Sequence, residues 1–306
     1  DGLDFKILGE SDSVIVLDGI TYIRGDDESL TMLYVPGNIS GSISLPDGLT
    51  EIPANAFYQS GITSIQVPAS VTSIGNAAFW RSSLEVIVFE EGSTLQNIGK
   101  NAFYSTAIKE ITLSGPLQSI GQSAFRFCGN LETVTINGTN LEIGDSVFRD
   151  CGSLTTVNLS ADSLTIGSSA FYGTALTGIE LPEGTTSIGG SAFTGTRLAS
   201  IRIPSTVTSM EFGFPSTLRE ITVDSDNTKY LSDGNVVYEI VQSGDSTTYK
   251  LVFIGYGVTE LVMKAGTTDM SADVFRSHSS LQKVVFPEGF PADIGYTAFQ
   301  GCSSLT

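Results

Sequence analysis

Histidine occurs once in 306 residues, tryptophan once and cysteine three times. A lone histidine, His278, leaves no paired imidazoles, and no Cys-x-x-Cys is present, so zinc sites built from such ligands are excluded. A histidine-based nucleophile triad would have to use His278, yet no Gly-x-Ser-x-Gly elbow accompanies it, and the residue reads as structural or surface. Gly is plentiful, but no Gly-x-x-x-x-Gly-Lys phosphate loop appears. Asp224-Ser-Asp226-Asn227 opens like a calcium loop and fails at the sixth position, where Lys229 replaces the required Gly. No cofactor and no metal is expected.

Basic residues are also scarce. Fifteen Lys+Arg stand against 33 Asp+Glu, a net charge of −18, which argues against nucleic acid and anionic membrane as partners, since both need clustered cations. Charged residues make up 16% of the chain, below the roughly 25% of a typical globular protein, so Ser, Thr, Asn and Gly must wet the surface. Long apolar runs are missing too. The most apolar stretch, Leu251 to Met263, is broken by Gly255, Gly257 and Glu260 and is shorter than the ~20 residues a spanning helix needs. Membrane attachment is at most peripheral, through an anchor outside this chain.

What the chain has in abundance is one phrase: aliphatic, Gly, two small or polar residues, a small residue, Phe. It runs Ile74 to Phe79, Ile98 to Phe103, Ile120 to Phe125, Ile143 to Phe148, Ile166 to Phe171 and Ile188 to Phe193, and returns at Ile294 to Phe299, with looser copies ending at Phe57 and Phe275. From Phe57 to Phe193 successive Phe residues lie 22, 24, 22, 23, 23 and 22 apart, a period that signals a stacked solenoid of the leucine-rich repeat class. After each Phe comes Leu/Ile-x-x-Ile/Val-x-hydrophobic, often closed by Pro, as in Ile62 to Pro68 and Leu198 to Pro204. Alternating β-branched residues ended by Pro read as one short strand. Each coil is therefore a strand, a turn, a second extended or 3₁₀ stretch holding the Gly phrase, and a return. The Phe column is the expected spine of the interior, and the Gly after each aliphatic residue is expected where a Cβ would strain the backbone.

The combined motif Ile-Gly-x-x-Ala-Phe-x-x-Cys/Thr-x-x-Leu-x-x-Ile-x-Ile-Pro, best seen at Ile120 to Ile136, resembles the BspA-like leucine-rich repeats of bacterial surface proteins, from about Leu30 onward. The resemblance implies an α/β-type, strand-rich solenoid, a right-handed superhelix of 22–24-residue coils. It further implies a secreted or surface-anchored protein of adhesion and interaction, from which a leader has been removed. The expected organisation is an N-terminal β cap over 1–29, including short strands at Phe5-Lys-Ile7, Val14 to Leu17 and Ile20 to Ile23; a solenoid over 30–223; an inserted β-hairpin over 224–257; and further repeats over 258–306, the last incomplete.

Cys128, Cys151 and Cys302 each lie three residues after a Phe, where other coils carry Ser60, Ser82, Thr106, Thr174, Thr196 and His278. The position reads as an inward column with buried thiols; Cys128 and Cys151 sit in successive coils and are close enough to consider a disulfide, although parallel side chains suit one poorly. Among carboxylates, Glu220 and Glu260 would share neighbouring rungs if the hairpin loops out cleanly, near the separation a retaining glycosidase uses. Lys283 beside Glu260, Glu180 facing Arg202 and Asp224 facing Lys264 offer cross-rung ion pairing instead.

Two surfaces are candidates for ligand binding. Tyr58, Trp80, Tyr104, Arg126, Arg149 and Tyr172 follow the Phe residues directly, and aromatics mixed with Arg suit a contact surface, though they could simply shield the Phe column. Thr133, Thr135, Thr156 and Asn158 form a neutral, small-residue patch on the strand face. The reading is a non-enzymatic, extracellular or cell-surface, monomeric protein that binds another protein; the alternative is a glycan-binding accessory protein for nutrient capture. A hydrolase on Glu220 and Glu260 is a distant third.

Overall fold

The computed structural model describes residues 13–291, 294–295 and 297–306; the strand expected at Phe5-Lys-Ile7 lies outside them. The chain forms a β-solenoid of about 11 coils of roughly 22 residues. No α-helix occurs among the described residues. Where an α/β-type solenoid would carry helices, each return is a tight turn.

Most coils have a front strand after the Phe and a back strand before the next Gly; the coil after Phe171 has no front strand. The back strands form the longer sheet, in parallel register, through Ile52, Ile74, Ile98, Ile120, Ile143, Ile166, Ile188 and Met210. Equivalent residues thus stack directly, so each coil buries what its neighbour presents. The front strands alternate in the same way, with Ile65 on Ile87, Val134 on Val157 and Ile201 on Ile221. Unlike the back, the front is split. Ser40–Ser44, Gly61–Val67 and Val86–Phe89 form one sheet, and Ser200–Ile203 pairs only Glu220–Val223.

Between the strand faces the Phe rings form the interior. Phe57, Phe79, Phe103, Phe125, Phe148, Phe171 and Phe193 are fully buried, with successive centroids 4.8–5.6 Å apart and planes within 13° of parallel. Each buried ring contributes on the order of 1.5–3 kcal/mol of apolar burial. At the Gly of the stacked coils a Cβ would strain the backbone, as expected, and the strain comes from contact; Gly295 differs in having a positive φ. A Cβ on Gly121 would lie 2.7 Å from Lys100 N, and one on Gly167 would lie 2.6 Å from the Gly144 carbonyl carbon; glycine is needed because adjacent coils touch backbone to backbone. Positive φ belongs instead to residues two before and two after each Phe, such as Asn101 and Ser105, Ser123 and Phe127, Ser146 and Asp150. These paired left-handed residues make the corner so tight that turn amides reach the next coil: Phe79 N donates to Ala102 O and Phe103 N to Ala124 O, both at 2.7 Å.

The column three residues after Phe is buried from Ser60 to His278, whereas Cys302 is half-buried; all three cysteines in it are free thiols. Cys128 Sγ donates to Phe103 O and Cys151 Sγ to Phe125 O, each at 3.0 Å and one coil back, while Thr106 and Thr174 bond the Phe carbonyl of their own coil. Burial pushes the Cys151 thiol well above its ordinary range.

Near the N-terminus Ser13–Leu17, Ile20–Arg24 and Leu30–Tyr34 form an antiparallel sheet. The repeat is interrupted after Glu220–Val223 by antiparallel strands Tyr230–Asp233, Val236–Ser243 and Ser246–Ile254, the last of which pairs Thr267–Met270. Alternation makes this hairpin two-faced. Val237, Val252 and Phe253 join the long core, whereas Val236, Tyr238, Leu251 and Ile254 pack with Leu261, Met263 and Phe275 in a second one.

Candidate ligand-binding surface

The six residues that follow the Phe rings lie on the turns, between the two strand faces. Tyr58 is exposed, and Trp80, Tyr104, Arg126, Arg149 and Tyr172 are half-buried. Tyr58 lies 6.0 Å from Trp80, and Trp80 lies 5.0 Å from Tyr104, centroid to centroid. Two further residues complete the line. Phe127 meets Tyr104 edge-on at 5.5 Å and carries the Arg126 guanidinium 4.6 Å above its ring. Asp150 receives Arg126 at 3.6 Å and Arg149 at 3.4 Å, and Arg149 in turn covers Tyr172 at 4.4 Å.

An unbroken chain of side-chain contacts therefore crosses six coils. The column directly after each Phe does not reveal Phe127 and Asp150; both occupy the next, left-handed position, which points its side chain outward beside it. Phe127 is 42% exposed. An aromatic ring left in water in a left-handed corner has no role in the core, and the aromatic directly after Arg126 was the available signal. Trp80 Nε1 and Arg126 Nε are both covered and have no hydrogen-bond partner among the described residues.

The strand-face patch is a separate surface. Thr133 pairs Thr156 and Thr135 pairs Asn158 in parallel register, and Asn158 Nδ2 donates to Thr135 Oγ1 at 3.2 Å. The structure thus brings these four residues together, away from the turns.

The carboxylates fall differently from expectation. Glu220 and Glu260 are not on neighbouring rungs, because Glu220–Val223 pairs Ser200–Ile203 and Glu260–Val262 pairs Lys283–Val285 in another sheet. The hairpin does not loop out; it docks against Glu220–Val223 and takes the place of the next rung. Glu260 does lie opposite Lys283. Arg202 bridges Glu183 and Asp224 rather than facing Glu180, and Lys264 covers the Tyr249 ring at 5.0 Å rather than pairing with Asp224. Among the described residues no group of three or more His, Cys, Asp or Glu is arranged to hold a metal ion, and no helix is long and apolar enough to cross a membrane.

The BspA type leucine rich repeat region matches the chain over residues 38–152, 96–214 and 141–233, which overlap, and again over 246–306. The chain belongs to the BspA-type leucine-rich repeat family. Among solved structures, a leucine rich cell surface protein from Faecalibacterium prausnitzii A2-165 is 24% identical with a TM-score of 0.59, over 97% of this chain and 82% of that one. A leucine-rich repeat protein from Bacteroides ovatus ATCC 8483 is 21% identical with a TM-score of 0.49, over 99% of this chain and 94% of that one. The pneumococcal vaccine antigen PcpA is 20% identical with a TM-score of 0.43, over 91% of this chain and 65% of that one. No curated protein matches the chain significantly. The likeness at a TM-score of 0.59 concerns the fold alone; the turn surface is described from this chain alone.

Proposed function

We propose that this BspA-type repeat protein is a non-enzymatic, extracellular or cell-surface binder of another protein, and that the Tyr58-to-Tyr172 turn surface is where it binds. The carrying observation is the continuous line of ring–ring, guanidinium–ring and ion-pair contacts across six coils. Aromatic and Arg side chains supply most of the energy in protein interfaces, because they bury large areas at modest entropic cost. Charge supports the reading. On a chain of net charge −18, the exposed Arg81 together with Arg126 and Arg149 gathers cations on these turns, with Asp150 between the last two. Such a stripe suits an acidic or aromatic partner segment, while the net charge of −18 sets whole copies of the chain against one another, in line with a monomer.

The same rings favour glycan binding as the second reading, since Tyr58, Trp80, Tyr104 and Phe127 offer ring faces and edges in sequence. Binding of the full chain to immobilised extracellular proteins and to a glycan array, repeated with Trp80→Ala and Phe127→Ala, tests both. Protein hits weakened at least tenfold in both variants support the proposal. Glycan hits lost in the variants favour the second reading, and protein hits indifferent to both variants overturn the first.

A further inference from the structure

The interruption of the repeat leaves a cleft that the turn surface does not include. In the intact coils each Phe turn is fastened to the next, and this ladder runs as far as Gly173 N to Thr194 O at 2.9 Å. It resumes at Ser277 N to Gln300 O. Between these points the hairpin stands where a coil's turn would be; Phe214 continues the Phe column, stacked on Phe193 at 6.3 Å and 3°, and Phe253 then breaks the stacking, set edge-on to Phe214 at 5.3 Å and 71°. A cleft of about 520 Å³ opens there, within the 300–1,000 Å³ usual for small-molecule sites.

Two ring pairs line it. Phe212 stacks on Phe253 at 5.8 Å and 13°, and Tyr256 stacks on His278 at 5.4 Å and 24°. Phe212 and Tyr256 are only half-buried, so these rings meet solvent inside a concavity. His278 is 93% buried, and its Nδ1 has no hydrogen-bond partner among the described residues. Around the rings stand Glu211, Glu239 and Asp273 with Lys250 and Arg276. Glu239 is paired with Lys229 at 2.7 Å, Lys250 with Asp269 at 3.4 Å and Arg276 with Asp273 at 3.6 Å, which leaves Glu211 without an ion pair among the described residues. That balance disfavours an anion, and charged groups of both signs disfavour a purely apolar ligand. The remaining fit is a neutral molecule with apolar C–H faces and many hydroxyls, able to stack on rings while carboxylate and guanidinium groups bond neighbouring hydroxyls.

We propose that this cleft binds a short neutral saccharide. The proposal is independent of the turn surface as a protein-binding site. The test is titration of the full chain with glucose, galactose, mannose, N-acetylglucosamine and their disaccharides, followed by saturation-transfer NMR and calorimetry, with glucuronate and sialic acid as an acidic arm. Phe212→Ala and the exposed Glu211→Gln are compared with Lys109→Ala, an exposed position on neither surface, and thermal unfolding reports that each is folded. The expected result is saturable binding of a neutral sugar, weakened at least tenfold in Phe212→Ala and Glu211→Gln and unchanged in Lys109→Ala. Silence of the folded protein toward every neutral sugar at millimolar concentration overturns the proposal. So does binding of acidic sugars alone, or binding that survives both cleft variants.

Discussion

The backbone N–H of Ile221 donates to the side-chain Oδ1 of Asn235 at 3.0 Å, where a neighbouring rung would otherwise supply a carbonyl. The same Asn235 returns a bond from Nδ2 to Arg219 O at 2.6 Å, and Ser232 Oγ accepts from Val223 N at 2.9 Å. Side chains of the hairpin thus satisfy a strand edge that the interruption would leave bare. Asn235→Ala leaves Ile221 N–H without its acceptor and is expected to cost about 1–3 kcal/mol. Asn235→Asp keeps the acceptor and costs less. Amide exchange at Ile221 and denaturant unfolding check both; equal effects of the two variants would show that the Oδ1 bond is not what holds this edge.

Phe125 and Phe127 lie two residues apart and have opposite environments. Phe125→Ala opens a cavity between stacked rings and is expected to cost about 3–5 kcal/mol. Phe127→Ala removes an exposed ring and should stay within about 0.5 kcal/mol of the parent. Denaturation midpoints of the two variants measure the difference, and comparable losses would mean the interior column is not the main source of cohesion.

Glycines in this chain separate by what surrounds them. Gly167→Ala places a methyl 2.6–2.8 Å from atoms of the preceding coil, and overpacking of this kind costs about 1–3 kcal/mol. Gly152 meets nothing within 4 Å and does not have positive φ, so Gly152→Ala should be neutral or stabilising by about 0.4–1 kcal/mol through the unfolded chain. Thermal melts of the pair decide it.

His278 occupies a column otherwise filled by Ser, Thr and Cys, and burial lowers its pKa below the ordinary 6.5. The unfolded chain therefore takes up this proton first as pH falls. Above the unfolded value the group leaves stability unchanged; below it, stability is lost until the folded pKa is passed. His278→Thr removes that dependence, so the gap between variant and parent melting temperatures should move in the variant's favour from pH 7.5 to pH 5. A constant gap would show that the imidazole titrates alike in both states.

Most of the architecture was legible because a repeat writes each contact many times over. The Phe spacing identified the stacked rings, and the aliphatic before each Gly identified the back-strand column. The glycines were legible as places where a Cβ would strain the backbone, but the contact behind the strain was not, since close approach of two coils leaves no trace in one coil's own sequence. What occurs once was harder to read. Glu220 and Glu260 were separated by a hairpin that docks through Asn235 and Ser232, side chains whose role depends on a non-local strand edge. Arg202 reaches Glu183 and Asp224 because its long side chain spans columns that a strict register keeps apart. Of the turn surface, Tyr58 to Tyr172 followed from periodicity, whereas Phe127 and Asp150 required the left-handed geometry of the corner.

The double-sided hairpin makes one further point about a chain drawn out by force. A continuous stack would unravel coil after coil from whichever end yields first, each lost layer baring the next. Here the hairpin stands as a partition with a dry compartment on either side. Opening the smaller compartment, around Phe275, leaves Val237, Val252 and Phe253 still seated against the larger one, so tension is absorbed in two instalments rather than one long peel.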